Sequence, residues 1–315
     1  VAISLEAPIW VIGSLVVING LLRAQFEPAA GAAVTELSPP DLRVAAFGLQ
    51  RIGINLGWAV GPALGGLLAV HSYGAMFFVA APATLLAILA VLPLGKHRPV
   101  RRARPREKLT WSLVARTLRE HRVFATYLVL VLLGSILTVQ IFATLSVYGS
   151  MHLGLEKLDV GLLYTVNGVM VVAAQVPAVA LARKVGMRRA LVIGTLLYTV
   201  GYGIFGVAGN FSDLAVGMAI VTIGEVIFAP ALTDTAAALG DPERMGRAFG
   251  LFGLVQSVGL SLGPLVGGLG FDLWRDDPSR LWIVLAAGMF LMGIAFSIFG
   301  RRTGAFERMS AAPSQ

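Results

Sequence analysis

GLQRIGINLGWAVGPALGG at residues 48–66 and GLFGLVQSVGLSLGPLVGG at residues 250–268 are one pattern written twice. Gly48, Gly57, Gly61, Pro62, Gly65 and Gly66 return, each 202 positions later, as Gly250, Gly259, Gly263, Pro264, Gly267 and Gly268. Both copies fit G-x8-G-x3-G-P-x2-G-G without a gap. The register extends outward: Phe26, Pro28 and Ala29 map onto Phe228, Pro230 and Ala231, and Leu37 and Pro40 onto Leu239 and Pro242. Chance does not produce a gapless match of this length, so the chain holds two related halves. Both copies lie in apolar sequence, which puts the halves in a membrane. Paired repeats in a membrane are the organisation expected of a transporter.

Composition agrees. Of 315 residues 57% are hydrophobic and 13% charged, against roughly a quarter charged in soluble domains. The mean hydropathy is +0.80. There is no cysteine, which excludes a disulfide framework, thiolate metal sites and cysteine nucleophiles. The four histidines fall near helix ends or loops, and no pair has metal-ligand spacing. No phosphate-cradling G-x-x-x-x-G-K-[ST] is present, so an ATP-driven pump is excluded within this chain. No enzyme constellation, metal site or cofactor is expected.

Apolar runs of about 18–25 residues predict membrane-spanning helices. They fall at 8–34, 46–70, 75–94, 123–148, 159–182, 189–208, 213–237, 246–270 and 280–300, with residues 1–7 the tail of another. Lys and Arg mark cytoplasmic loops. Lys96, Arg98, Arg101, Arg102, Arg104, Arg106 and Lys108 fill the long central linker. Arg183, Lys184, Arg188 and Arg189 fill a tight turn, Arg244 and Arg247 another, and Arg301 and Arg302 open the tail. The alternate loops lack net positive charge, so the C-terminus is expected in the cytoplasm. The net charge of +8 is thus a membrane-orientation signal. A solvated nucleic-acid-binding tail at 96–108 is the weaker reading, and no nucleic-acid partner is expected.

The expected organisation is a partial N-terminal half at 1–94 and a basic cytoplasmic linker at 95–122. A six-helix half at 123–300 and a cytoplasmic tail at 301–315 follow. Within the linker, Thr110, Trp111, Leu113, Val114 and Leu118 read as an amphipathic helix at the interface. The six-helix half begins near residue 123, so its counterpart would begin roughly 80 residues before Val1. About three helices are therefore expected to precede this sequence; a native nine-span protein is the alternative.

Two six-helix halves in parallel repeat, joined by a basic cytoplasmic linker, resemble the major facilitator superfamily. The stretch Gly57–Gly66 resembles the fifth-helix signature of its drug/proton antiporter branch, with a complete match from Gly48 onward. The resemblance runs from Pro8 to Gly300 and makes the nine spans helices 4–12 of an all-α, two-half membrane bundle. It implies a multi-pass monomer in a bacterial plasma membrane, whose partners are protons, a small-molecule substrate and lipid. In family structures the fifth helix packs across the half-to-half interface on the eighth, and the eleventh on the second. The glycine–proline block would then be a sealing and rocking surface. The residues themselves support close packing: Gly57, Gly61 and Gly65 share a face that lets another backbone approach, and Pro62 removes a donor and kinks the helix. Plain tight packing is the alternative.

A second family motif, the turn G-x-x-x-D-R-x-G-R-R, is echoed by Val179, Arg183, Lys184, Val185, Gly186, Met187, Arg188 and Arg189, without the opening glycine and the aspartate. Loop anchoring explains these arginines; a gating ion pair with Asp234 or Glu243 is the alternative.

Ionisable groups inside a bilayer are costly and mark function. Arg23, Glu27, Glu225 and Asp234 qualify. Glu225 sits mid-span, where apolar neighbours disfavour its charged form and suit a group that loads and releases a proton. A buried glutamate held by a fixed partner is the alternative. The repeat places Arg23 at the position equivalent to Glu225, so both are expected to face a central cavity. Arg23 also partly matches the family's R-x-x-Q-G. Arg23 and Glu27 are spaced to pair on one helix face. Asp234, about two and a half turns from Glu225, suits a gating or interfacial role. Gln140, Asn167, Gln175, Asn55 and Gln256 are uncharged cavity candidates that read first as interhelical hydrogen-bonding groups. Phe26, Phe142, Tyr164 and Phe228 are candidates for an apolar pocket, with lipid-facing or core positions the commoner reading. The expected function is proton-coupled export of amphipathic organic compounds by alternating access. A proton symporter importing a sugar or organic acid is the alternative, and a non-transporting membrane fragment or scaffold a further one.

Overall fold

A computed structural model of the chain describes residues 72–93, 118–240 and 245–303, with scattered positions between 8 and 68. Every element among them is helical: α1 (Tyr73–Val91), α2 (Arg122–Thr138), α3 (Gln140–Ala143), α4 (Leu145–Met151), α5 (Lys157–Val185), α6 (Met187–Val207), α7 (Phe211–Leu239), α8 (Met245–Leu273) and α9 (Ser279–Thr303). Among the described residues, six helical stretches are long and apolar enough to cross a membrane. They are Arg122–Met151, Lys157–Ala182, Met187–Val207, Phe211–Leu239, Arg247–Leu273 and Ser279–Arg302. Each falls within a turn of a span read from hydropathy, and α1 falls on the span at 75–94. The spans at 8–34 and 46–70, the linker arginines and lysines, and most of the interfacial helix lie largely outside the described residues.

Contacts divide the chain into two units, Val1–Glu107 with Lys157–Gly168, and Lys108–Glu156 with Val169–Gln315. In the second unit α6 packs most extensively on α7 and α9, and α8 on α2. Glycines decide both seams. On the first, Gly194 faces Gly224 and Gly201 faces Gly217 across antiparallel helices. A Cβ on Gly224 would stand 2.9 Å from the Gly194 carbonyl oxygen, and one on Gly217 3.2 Å from that of Gly201. Side chains there would drive the helices apart, so their absence sets the depth of α7, and Glu225 is the next residue after Gly224.

On the second seam, a Cβ on Gly259 would lie 2.6 Å from Ser135 Cβ and 2.7 Å from the Leu132 carbonyl. One on Gly263 would collide with Val139 Cγ1, and one on Gly267 with Thr144 Oγ1. Among the described residues the ridge Gly259–Gly263–Gly267 packs against α2, α3 and Thr144. In the first copy, nothing described lies within 4 Å of a Cβ on Gly57 or Gly61, and Met76 Sδ is 3.7 Å from one on Gly65. Pro62 and Gly66 lie outside the described residues.

Aromatic rings fill the space between the seams. Trp282 is fully buried, with Phe205, Tyr202 and Tyr148 around it at 4.9, 5.3 and 5.8 Å between centroids. Tyr127 stacks on Phe252 and donates its hydroxyl to the Leu232 carbonyl, tying α2 to α7. At the head of α7 the Asn210 side chain accepts from the Asp213 N–H while the Asp213 carboxylate accepts from the Gly209 N–H, a reciprocal cap. Gly186, at φ +85°, makes the turn from α5 to α6, as the loop motif suggested.

Candidate functional site

The span Arg122–Met151 is interrupted at Val139 and Thr144, between α2, α3 and α4. Both residues keep right-handed helical dihedrals, so the chain path continues while its hydrogen-bond ladder is disturbed, and a cavity lies beside it. Ser135, Thr138, Val139 and Phe142 from α2 and α3, Glu225, Phe228, Ala229 and Leu232 from α7, Gln256 and Leu260 from α8 and Tyr198 from α6 enclose about 170 Å³. The α2–α3 set and the α7 set each follow i, i+3, i+4, i+7, so each is one stripe of a helix turned to the same space. A cavity of roughly 150 Å³ holds a benzene ring, so this wall accommodates a ring-sized part of a ligand.

The lining is mostly apolar, with polar groups at chosen points. Glu225 is half-buried and is the one carboxylate among the lining residues. Ser135 Oγ is buried with no hydrogen-bond partner among the described residues. Gln140, fully buried beside the break, donates from Nε2 to the Ile136 carbonyl at 2.8 Å and the Gly263 carbonyl at 2.9 Å, and its Oε1 accepts from the Thr144 hydroxyl. That is the interhelical role read for it from sequence. Among the described residues no cluster of His, Asp and Glu could hold a metal ion.

The other expected residues scatter. Phe142 and Phe228 reach the cavity, while Tyr164 is not part of its lining. Gln256 lines it; Gln175 Nε2 is buried without a partner among the described residues. Asp234 is exposed, Arg188 half-buried and Arg189 exposed, and no described ion pair joins Asp234 to either arginine. The side chain of Arg183 and all of Arg23, Glu27, Phe26, Asn55 and Glu243 lie outside what is described. Ser135, Thr138, Val139, Tyr198, Ala229, Leu232 and Leu260 were missed by sequence reasoning. The i, i+3, i+4, i+7 stripe shared with Glu225 was the available signal for the α7 members.

The described residues form a bundle of membrane-length helices with a carboxylate-bearing cavity within the second unit. The model of the Major Facilitator Superfamily matches residues 1–264 and 152–307, and the chain belongs to that family. The family is one of transporters, not enzymes. The uncharacterized MFS-type transporter YqjV of Bacillus subtilis is 26% identical over 298 residues, 93% of this chain and 72% of the relative. The quinolone resistance protein NorA of Staphylococcus aureus is 27% identical over 288 residues, 91% of this chain and 72% of the relative. A second MFS-type transporter of Bacillus subtilis, YhjO, is spanned over 64% of its length. In fold the chain resembles a POT family transporter solved with 5-aminolevulinic acid, with TM-score 0.70 at 16% identity over 88% of this chain and 73% of the other. It also resembles an inward-facing bacterial homologue of the lysosomal transporter Spinster, with TM-score 0.60 at 14% identity over 91% and 76%.

Proposed function

We propose that the chain is a proton-coupled exporter of amphipathic organic compounds, working by alternating access in the bacterial plasma membrane as a monomer with its C-terminus cytoplasmic. The observation that carries this reading is Glu225 on a wall otherwise built largely of Phe142, Phe228, Leu232, Leu260 and Val139. Protonated, that wall carries no charge. Ionised, it offers one anion in a low-dielectric space, which either a proton or a cationic ligand neutralises. Competition for one group links the two fluxes, because each occupant biases the conformational equilibrium by its own differential affinity.

The likeness to a quinolone resistance protein supports the choice of export and of an amphipathic cargo. Arg23, equivalent to Glu225 by the repeat, and Glu27 are assigned the corresponding polar positions of the other half. Asp234, Arg183, Arg188 and Arg189 are assigned to the cytoplasmic gate. The test is accumulation of a lipophilic cationic dye in inside-out vesicles under an imposed proton gradient, with and without a protonophore. Gradient-dependent accumulation supports export. Its absence, with proton-driven uptake of a sugar into right-side-out vesicles, supports the importer.

A further inference from the structure

The break in the span Arg122–Met151 has an occupant. A regular helix pairs the Leu137 carbonyl with the Ile141 N–H. Here the Tyr202 hydroxyl donates to the Leu137 carbonyl at 2.7 Å, and the Ile141 N–H bonds the same hydroxyl oxygen. The phenol from α6 thus stands inside the hydrogen-bond ladder of its neighbour, a recognised cause of a helix kink. Beside it, Gln140 Nε2 takes the Ile136 carbonyl, the acceptor that a regular helix would give to the Gln140 N–H.

We propose that Tyr202 is a positioning residue for the cavity: its hydroxyl, wedged between Leu137 and Ile141, holds α2 and α3 apart at Val139 and so sets where Thr138, Val139 and Phe142 stand on the wall. The proposal rests on the reading of this cavity as the transport site. Tyr202 is fully buried and held edge-on by Tyr198 at 5.6 Å and Trp282 at 5.3 Å. Tyr198 itself lines the cavity, so a ligand that displaces Tyr198 presses on the ring that carries the wedge.

Withdrawal of the hydroxyl leaves the Leu137 carbonyl and the Ile141 N–H free to pair with each other. Both arrangements satisfy the same two backbone groups, and they differ by the partners that the buried hydroxyl keeps or loses. That is the condition for an element with two discrete packings rather than a continuous range. Straightening at Val139 would rotate the lower part of the stripe relative to the upper, moving Phe142 against Ser135. The wedge therefore couples what touches Tyr198 to the shape of the opposite wall.

The absence of cysteine makes the test direct. Phe142→Cys supplies a single thiol on the wall, and its rate of reaction with a membrane-permeant maleimide is measured with Tyr202 intact and in Tyr202→Phe, which keeps the ring and removes only the hydroxyl. A change of roughly five- to tenfold, the scale of one buried hydrogen bond, is expected, with the dye KM shifted and kcat largely retained. Equal labelling rates and equal KM would overturn the wedge. Labelling needs no transport, so a changed rate in a chain that moves no dye would sink the export reading and leave the wedge standing. If Tyr202→Phe fails to fold, amide exchange across residues 137–142 of the unsubstituted chain is followed with and without tetraphenylphosphonium. Altered exchange supports the proposal, and unchanged exchange at saturation overturns it.

Discussion

The Gln140 side-chain amide donates to the Gly263 carbonyl at 2.9 Å, and this bond joins the repeated glycine motif to the cavity wall. Gly263 lies on the ridge that seats α8 against α2; Gln140 opens α3, directly after the break. The motif that marks the family from sequence therefore serves, in this half, to hold a broken helix in place. Gln140→Leu should cost about 0.6–1.7 kcal/mol, the range of interhelical hydrogen bonds in membranes. Thermal unfolding in detergent checks this, and an unchanged midpoint would show that the bond holds nothing.

The two faces of the motif should respond differently to a methyl group. Gly263→Ala brings a Cβ into Val139 Cγ1 and within 3.3 Å of the Ile136 carbonyl, so overpacking of about 1–3 kcal/mol is expected. Gly268→Ala, with nothing described within 4 Å, should be tolerated although it belongs to the same repeat. Melting temperatures of the two variants side by side decide this; equal losses would contradict the assignment of the ridge.

Phe228 carries both packing and lining. Its ring meets Phe296 edge-on at 5.8 Å and Tyr198 at 6.4 Å while closing the cavity. Phe228→Ala should lower stability by about 3–5 kcal/mol and weaken dye binding, measured by fluorescence titration. Phe228→Leu should recover most of the stability and only part of the binding.

Outside the membrane, the hairpin before α9 has its own pH dependence. The Ser279 hydroxyl donates to Asp277, and Arg280 Nε donates to it at 2.9 Å. The Ser279 hydroxyl, followed by Arg280, holds the Asp277 carboxyl below its ordinary value of 3.8. A depressed folded-state value means that the stabilisation is complete above pH 3.8 and is lost as pH falls through the lowered value. Ser279→Ala should move the Asp277 titration upward, which carbon-13 shifts of the carboxyl would follow; no movement would remove the serine from the account.

Hydropathy located the six membrane-length stretches closely because each is apolar over most of its length, and the 202-residue repeat paired residues 48–66 with 250–268. Glu225 was legible because a carboxylate between Gly224 and Val226 is conspicuous. The break at Val139 was not. Prolines announce kinks in sequence, yet α5, α7 and α8 run on through Pro177, Pro230 and Pro264. The span that does break has no proline. Its cause is Tyr202, in another helix, and local sequence does not report which hydroxyl will enter which ladder. Tyr198 was missed for the same reason: its place on the wall depends on the glycine seam between α6 and α7. The partner of the Gly259–Gly263–Gly267 ridge likewise emerged from packing, since spacing by four says that a backbone comes close but not whose.

The central claim is that Glu225 couples export to protons, and Glu225→Gln tests it most directly in vesicles that allow two assays on one preparation. Exchange of labelled for unlabelled dye needs the cavity and the conformational change but no proton. Uphill accumulation under a proton gradient needs all three. The account predicts that Glu225→Gln keeps exchange and loses accumulation. Accumulation at the unsubstituted level would contradict it and move the coupling proton to another group.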